Sequence, residues 1–574
     1  MLPAPDSSQA LVLDAPLAER RIVVAGPGAG KTTTSIMLID EIVRKSGDLD
    51  DRTILFVSFS RSAMAAALGA FGDVLHDRPV NIAAMTLDSL AWQLVDESDT
   101  TAGEVPDFDG VVRRATEQLR SNYDGDLDDV VHLIVDEAQD LSAPRREMLC
   151  AVIDRIRPDA GVTIFGDPMQ SIYEFLDGES ERGISGWDTL VEELGRRSIS
   201  KFYELAGDHR SRRRGPKSVA ASSRELRTAD SDTRESVLED LLTGFTHWDI
   251  DEFAKRAADW RGSTSVLART NTEVLQLFQE LSMRGHRCVW RQPGRANQRV
   301  APWVAHLWWA NGGKAVSQSD FEKFAASWSE VDVAWFRIML AEAGQGDLID
   351  WSRMAQVCRA AVDPLAPWFA DRSVGMLVST IHQAKGLEWD NVAVVGAHDL
   401  LTRVGSRQPE CELLYVALSR ARDKIVVVDE WRPSYMKSTR TSGVSYQPKP
   451  GSNLADAISV TPDCLVSDRM VGGSEGQTIL ASLDEDALAE FELLASGHAD
   501  WPTYRCSVAG SAVGVTTPQF GRTLASLPGI RNGAWPQLAP VCIDGVESRW
   551  ATVDGTSFWL KPRPFGMASI QRKV

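Results

Sequence analysis

The run AGPGAGKTTT at 25–34 contains the residue types needed to hold a polyphosphate. Gly26, Gly28 and Gly30 let the backbone turn tightly and aim its N–H groups at phosphate oxygens. Lys31 can reach the terminal phosphates, Thr32 can offer its hydroxyl to Mg2+, and Thr33 completes the candidate binding set. Further along, HLIVDEAQD at 132–140 ends an apolar run on two adjacent carboxylates. Asp136 can hold Mg2+, directly or through water, while Glu137 can take a proton from an attacking water. A lone Asp-Glu pair reads as solvated surface. With the glycine loop in the same chain it reads as the carboxylate pair of an ATP hydrolase using ATP and Mg2+.

These residues need a scaffold. The apolar stretch 21–25 runs directly into the loop, and Ile36, Leu38, Ile39, Ile42 and Val43 follow at helical spacing. The loop therefore lies between a strand and a helix N-terminus, as anion binding requires. Further buried-strand candidates at 53–58, 131–135 and 162–165 make 1–205 an α/β lobe with a parallel sheet. A second set at 265–269, 376–380, 391–395 and 424–428 predicts a second such lobe over 206–285 and 372–432. Between its halves lies a Trp-rich stretch, 286–371, whose spacing predicts helix with the tryptophans in a core. The segment 433–452 is polar and rich in Pro, Gly and Ser, and reads as a linker. Beyond it, Asp544-Gly545 and Asp554-Gly555 sit between short apolar runs, predicting hairpins in a small C-terminal domain with β-structure over 453–574.

Composition sets the outer limits. A chain of 574 residues exceeds the roughly 250–300 at which one core stops growing, so several domains are expected. No apolar run approaches the roughly 18–20 residues of a membrane helix. The N-terminal residues do not read as a signal peptide, and the seven cysteines form no CxxC pair. Reduced thiols, a cytoplasmic setting and no membrane partner are the expectation. A net charge of −19 argues against a protein coated in nucleic acid, yet it permits a basic track in one groove. The strongest local basic cluster is HRSRRRGPK at 209–217.

Over roughly 5–430 the chain resembles the UvrD/Rep group of superfamily 1 helicases. The resemblance rests on ILFVSFSRSAMAAA at 54–67, MTLDSLA at 85–91, FGDPMQSIYEF at 165–175, LAGDHRS at 205–211, VSTIHQAKGLEWDNV at 378–392 and LLYVALSRAR at 413–422. It implies two RecA-like lobes, with a reduced insertion at about 92–128 in the first. By the same resemblance Gln9 reads adenine, Gln170 senses the γ-phosphate, Glu388 lies near the ribose, and Arg210 and Arg420 touch the γ-phosphate. His209 stands where the family usually stacks a tyrosine on the base, Asp88 where it often has a histidine, and Gln383 where a serine is common. Phe59, Arg61, Thr86, Tyr173, Phe175 and His382 are the implied DNA contacts, the aromatics by stacking on bases. The implied activity is ATP-driven 3′→5′ movement along single-stranded DNA, with unwinding of tailed duplexes. A different class of function is an ATPase switch that regulates a partner such as RNA polymerase or a defence nuclease. A protein partner would then engage the C-terminal domain. A plain P-loop kinase does not account for the later motifs.

Overall fold

The structure, a computed structural model, describes residues 3–46, 52–58, 81–95, 108–121, 126–172, 185–290, 300–328, 331–333, 335–360, 368, 375–402, 410–439, 444–452, 454–484, 487–494, 500–552 and 556–572. The chain forms two compact units, Met1–His247 with Ala384–Val427, and Trp248–Gln383 with Val428–Val574. Residues 206–247 and 384–427, expected in the second lobe, thus fall in the same unit as the glycine loop.

The first unit is built on α1 (Ser7–Asp14), β1 (Arg20–Ala25), α2 (Lys31–Ser46), β2 (Thr53–Ser58), β3 (Asn81–Thr86), α3 (Leu87–Leu94), α4 (Phe108–Ser121), β4 (Val130–Asp136), α5 (Ala143–Arg155), β5 (Gly161–Gly166), α6 (Gly186–Arg196) and β6 (Lys201–Leu205). The strands lie in the order β3-β2-β4-β5-β1-β6, and every pairing is parallel. Their continuous apolar character follows, because helices cover both faces of such a sheet. One face packs Ile22, Leu55, Leu133 and Ile164 against α5 and α6, and the other packs Val23, Phe56 and Phe165 against α2. The expected insertion contributes α4, whose Val111, Val112, Ala115 and Leu119 enter this core. Short as it is, it serves as a core helix of the lobe. Asp88 is paired by Arg145 at 2.6 Å, and Arg145 also reaches Asp109 at 3.0 Å.

The second unit contains a smaller parallel array, in which Met376–Thr380 pairs with Thr264–Ala268 on one side and Cys288–Trp290 on the other. Its larger part is an antiparallel sheet of eight strands centred on the long pair Gln537–Ala551 and Ser557–Gln571. The segment expected as a linker forms the edge of this sheet, with Ser445–Pro448 pairing to Ala455–Val460. Polar alternation with Pro448 suits an edge strand as well as a linker, which is why composition misread it. Asp544-Gly545, expected as a hairpin turn, lies within one strand at a register shift, and Gly545 takes φ 100°. It is a bulge, for which glycine supplies the backbone freedom. Asp554-Gly555 lies outside the described residues.

The Trp-rich stretch and the C-terminal sheet share one core. Trp303, Phe321, Phe336 and Trp351 belong to the same buried cluster as Tyr504, Phe520 and Phe558, and Trp351 meets Phe558 with ring centroids 5.1 Å apart. The Ser548 hydroxyl donates to the Ala301 carbonyl at 2.7 Å and accepts from the Ala305 N–H at 3.0 Å. Trp303, Trp351 and Trp368 are core residues, as the spacing predicts, while Trp309 is exposed, and the core they enter is completed by chain from much later in the sequence.

Candidate nucleotide-binding site

The C-terminal ends of the parallel strands in the first unit carry the candidate residues. The glycine loop follows β1, Asp136 ends β4, Asp167 follows β5, and Asp208, His209 and Arg210 follow β6. Such strand ends are where open α/β sheets bind ligands. They surround a cavity of about 860 Å³ lined by Gly26, Gly28, Gly30, Lys31, Thr32, Thr33, Glu137, Gln170, His209, Arg210, Glu388 and Arg420. All of these were expected from sequence. Pro27, Asp140, Asp208, Ser211, Arg212, Lys385, Gly386 and Arg422 also line it. Lys385 and Arg422 sit inside the motifs at 378–392 and 413–422, so a reading of every charged residue in those motifs would have found them.

Gly28 and Gly30 adopt φ 75° and 82°, the left-handed region where a side chain is strained. Space is also closed there. A Cβ on Gly30 would lie 2.7 Å from Gln9 Nε2, and one on Gly28 would lie 2.8 Å from Asp208 Oδ1. Gln9 is buried and belongs to a capping box at the start of α1, where its side-chain oxygen accepts the Asp6 N–H at 3.0 Å. Its amide nitrogen is thereby turned toward the loop. His209 donates its backbone N–H to the Gly28 carbonyl at 2.8 Å, and its ring Nε2 lies 2.8 Å from Asp6 Oδ2. The imidazole is thus held at the loop edge beside Gln9.

The two carboxylates after β4 differ sharply. Asp136 Oδ1 accepts the Glu137 N–H at 3.0 Å, while Oδ2 is buried and has no partner among the described residues. Burial, and then the neighbouring Glu137 charge, push the Asp136 carboxyl up to about 7. A buried carboxylate with an open oxygen is suited to a hard divalent cation, which takes oxygen ligands. With Thr32 on the cavity wall, these residues fit Mg2+. Glu137 adopts φ 54° and ψ 42°, an uncommon conformation for a non-glycine residue that turns it out of the strand. Burial pushes its carboxyl up, but Lys31 at 3.8 Å, Lys385 and the 2.5 Å hydrogen bond from Gln139 hold it below the usual range.

The γ-phosphate candidates converge from separate chain segments. Gln170 follows β5, its amide nitrogen donating to Asp167 Oδ2 at 2.8 Å and its oxygen accepting from Arg420 at 3.0 Å. Arg420 emerges from the buried helix Cys411–Leu418 and also donates to the Val416 carbonyl at 2.9 Å. Burial, with Arg210 nearby, lowers its guanidinium to about 10, so it stays charged at neutral pH. Lys385 pairs with Asp140 and donates to the Gln170 carbonyl. Glu388 bridges Arg210, at 3.2 Å, and Arg422. Burial raises the Glu388 carboxyl, but the two arginines bring it below its ordinary range.

The DNA-contact candidates are placed less fully. Thr86 is buried and caps α3, its hydroxyl accepting the Ser89 N–H at 3.1 Å. His382 is half-buried, just after the strand Met376–Thr380 of the second unit. Gln383 beside it donates to Asn271 Oδ1 at 3.3 Å. Phe59, Arg61, Tyr173 and Phe175 lie outside the described residues. In the basic cluster, Arg212 pairs with Asp390 at 2.9 Å and Asp423 at 3.1 Å, while Arg213, Arg214 and Lys217 are exposed.

A glycine loop between strand and helix, a carboxylate pair on the next strand but one in the sheet, and converging cations define a P-loop nucleotide-binding protein. Residues 9–176 match the family model described as AAA domain, and residues 375–428 match the UvrD-like helicase C-terminal domain. The chain thus carries, in this order, a segment similar to the AAA domain and a segment similar to the UvrD-like helicase C-terminal domain. Over 70 residues it is 39% identical to F-box DNA helicase protein 1 of Schizosaccharomyces pombe, a stretch covering 10% of this chain and 8% of that protein. Similar solved structures include Pif1 helicase from Candida albicans, with 12% identity, 76% of this chain and 98% of that one covered, and a TM-score of 0.35. Bacteroides Pif1 bound to single-stranded DNA gives 14% identity, 75% and 93% coverage, and a TM-score of 0.35. Among the described residues no helix is long and apolar enough to cross a membrane.

Proposed function

We propose that the protein hydrolyses ATP in this cavity and uses the cycle to move 3′→5′ along single-stranded DNA, unwinding duplexes that carry a tail. The observation that carries the reading is the convergence of Lys31, Glu137, Gln170, Arg210 and Arg420 on one cavity. Lys31 binds the terminal phosphates and the phosphate-loop amides hold the rest of the chain of phosphates. Glu137 accepts the proton of the attacking water, which Gln170 orients. Arg210 and Arg420 meet the charge that spreads over the transferred phosphoryl group. Asp136 and Thr32 hold Mg2+, which when bound neutralises charge on the phosphate oxygens. Gln9 and His209 take the base.

On the DNA side, Phe59, Tyr173 and Phe175 stack on bases, and Arg61, Thr86 and His382 position the strand. Stacking tolerates any sequence and adds affinity that salt barely screens, which suits an acidic chain. The seven cysteines form no disulfide and six of them are buried, which suits a reducing, cytoplasmic setting. A protein partner docking on the C-terminal region belongs to the same proposal. Strand displacement from duplexes with either a 3′ or a 5′ tail tests the polarity. Displacement requiring the 3′ tail is expected, and displacement requiring the 5′ tail would reverse the proposed direction.

A further inference from the structure

One carboxylate in the cavity occupies two guanidinium groups. Glu388 uses one oxygen for Arg210, at 3.2 Å, and the other for Arg422. The backbone fixes this arrangement, because the Arg212 N–H donates to the Arg422 carbonyl at 2.8 Å and so ties the segment bearing Arg210 to the strand bearing Arg422. Arg210 also has an unfilled donor. Its Nε is buried without a partner among the described residues, 3.5 Å from where a Cβ on Gly28 would sit. The guanidinium therefore lies against the phosphate loop with a hydrogen still to give. Arg422 is one-third exposed, on the same cavity wall.

We propose that Arg422 is a further phosphate-binding residue of this site, and that Glu388 holds it together with Arg210 until a polyphosphate takes the carboxylate's place. This rests on the reading of the cavity as the ATP site. Guanidinium forks bind carboxylate and phosphate oxygens in the same two-pronged geometry, so one anion can replace the other without rebuilding the site. The cavity favours the exchange electrostatically. With Arg212 held by Asp390 and Asp423, Lys31, Arg210, Lys385, Arg420 and Arg422 still give five cations against the four carboxylates Glu137, Asp140, Asp208 and Glu388 on the cavity wall. Phosphate oxygens that displace Glu388 release its carboxylate from both guanidinium groups.

Inorganic tripolyphosphate isolates this exchange, because it carries phosphates and neither base nor ribose. The test is calorimetric titration of the full chain with magnesium tripolyphosphate and, separately, with ATP. Glu388→Gln keeps the shape and removes the charge, so it should bind tripolyphosphate about tenfold more tightly than the parent. Arg422→Ala should bind it about tenfold more weakly, and Glu388→Gln/Arg422→Ala should lose most of the gain. Arg422→Lys, which preserves charge and loses the fork, should fall between and guards against misfolding of the alanine variant. Tripolyphosphate affinity unchanged in both Arg422 variants, or no tighter in Glu388→Gln, overturns the proposal. So does a parent that binds ATP but no tripolyphosphate. If the parent binds neither, or if Lys31→Ala binds ATP normally, it is the ATP-site reading itself that fails.

Discussion

The two units handle buried charge in opposite ways. In the first unit Asp136 Oδ2 and Arg210 Nε are buried with open hydrogen-bonding capacity, and Glu137 sits in a left-handed conformation beside them. In the second unit a comparable set of charges is held in mutual ion pairs. Arg563 lies between Glu547, at 2.8 Å, and Asp544, at 3.3 Å, and Arg549 also reaches Glu547 at 2.7 Å. Burial raises the Glu547 carboxyl, but Arg563, Arg549 and Lys561 hold it below the usual range. An open carboxylate oxygen and backbone strain beside a cavity mark a site that awaits a ligand, whereas charges locked in mutual ion pairs mark a framework. Charge content alone would not have separated the two.

The largest expected effect comes from breaking the open set. Lys31→Ala and Glu137→Gln should each lower ATP turnover by about 10²–10⁴-fold. They should differ in binding, since Lys31 contributes charge to the bound phosphates while Glu137→Gln preserves shape and removes only the base. Nucleotide titration alongside turnover measures both, and near-normal hydrolysis by Glu137→Gln would remove its assignment. Next, Arg210→Ala and Arg420→Ala should each cost about 10²–10³-fold in turnover with the fold retained, because they act on transition-state charge. Normal turnover in both variants would mean that the convergence at Gln170 is structural.

Breaking the closed set should register as stability instead. Arg563→Ala leaves two carboxylates buried near a missing cation and should cost about 3–5 kcal/mol. Hydrogen exchange should show protection falling together in 300–328 and 537–571, because those segments share one core. Loss confined to 537–571 would break the shared-core description. The smallest effect concerns Asp136, whose folded-state pKa of about 7 lies above its ordinary 3.8. Charging it in the fold is therefore unfavourable, a cost that begins above about pH 4 and is fully present above pH 7. Asp136→Asn should raise the melting temperature of the nucleotide-free protein by a few degrees at pH 8, with the gain vanishing near pH 4. An equal gain at both pH values would point to packing rather than charge.

The phosphate-loop residues of the cavity were legible because their pattern is local in sequence. Gly28, Gly30 and Lys31 lie on one loop, and the strand–loop–helix pattern around them is written in the adjacent residues. Arg210, Gln170 and Arg420 were reached through their motifs, which specify partners far apart in the chain. Lys385 and Arg422 were passed over within those same motifs, since nothing in a single sequence says which charged residue of a motif turns inward. The association of 300–368 with the C-terminal sheet was not legible at all. Periodicity shows that Trp303 or Phe558 is buried, but it does not show against what. The strand Ser445–Pro448, next to the two-residue edge strand Lys437–Ser438, was hidden for a related reason, because strands at a sheet margin and linkers share polar residues and proline.

The cavity after β1 and β4 is proposed to hydrolyse ATP in response to DNA. Steady-state ATP hydrolysis by the full chain, with and without single-stranded DNA and with Lys31→Ala as control, tests it most directly. Turnover should rise when single-stranded DNA is added and disappear in Lys31→Ala. Turnover that persists in Lys31→Ala, or that is the same with and without single-stranded DNA, would contradict it.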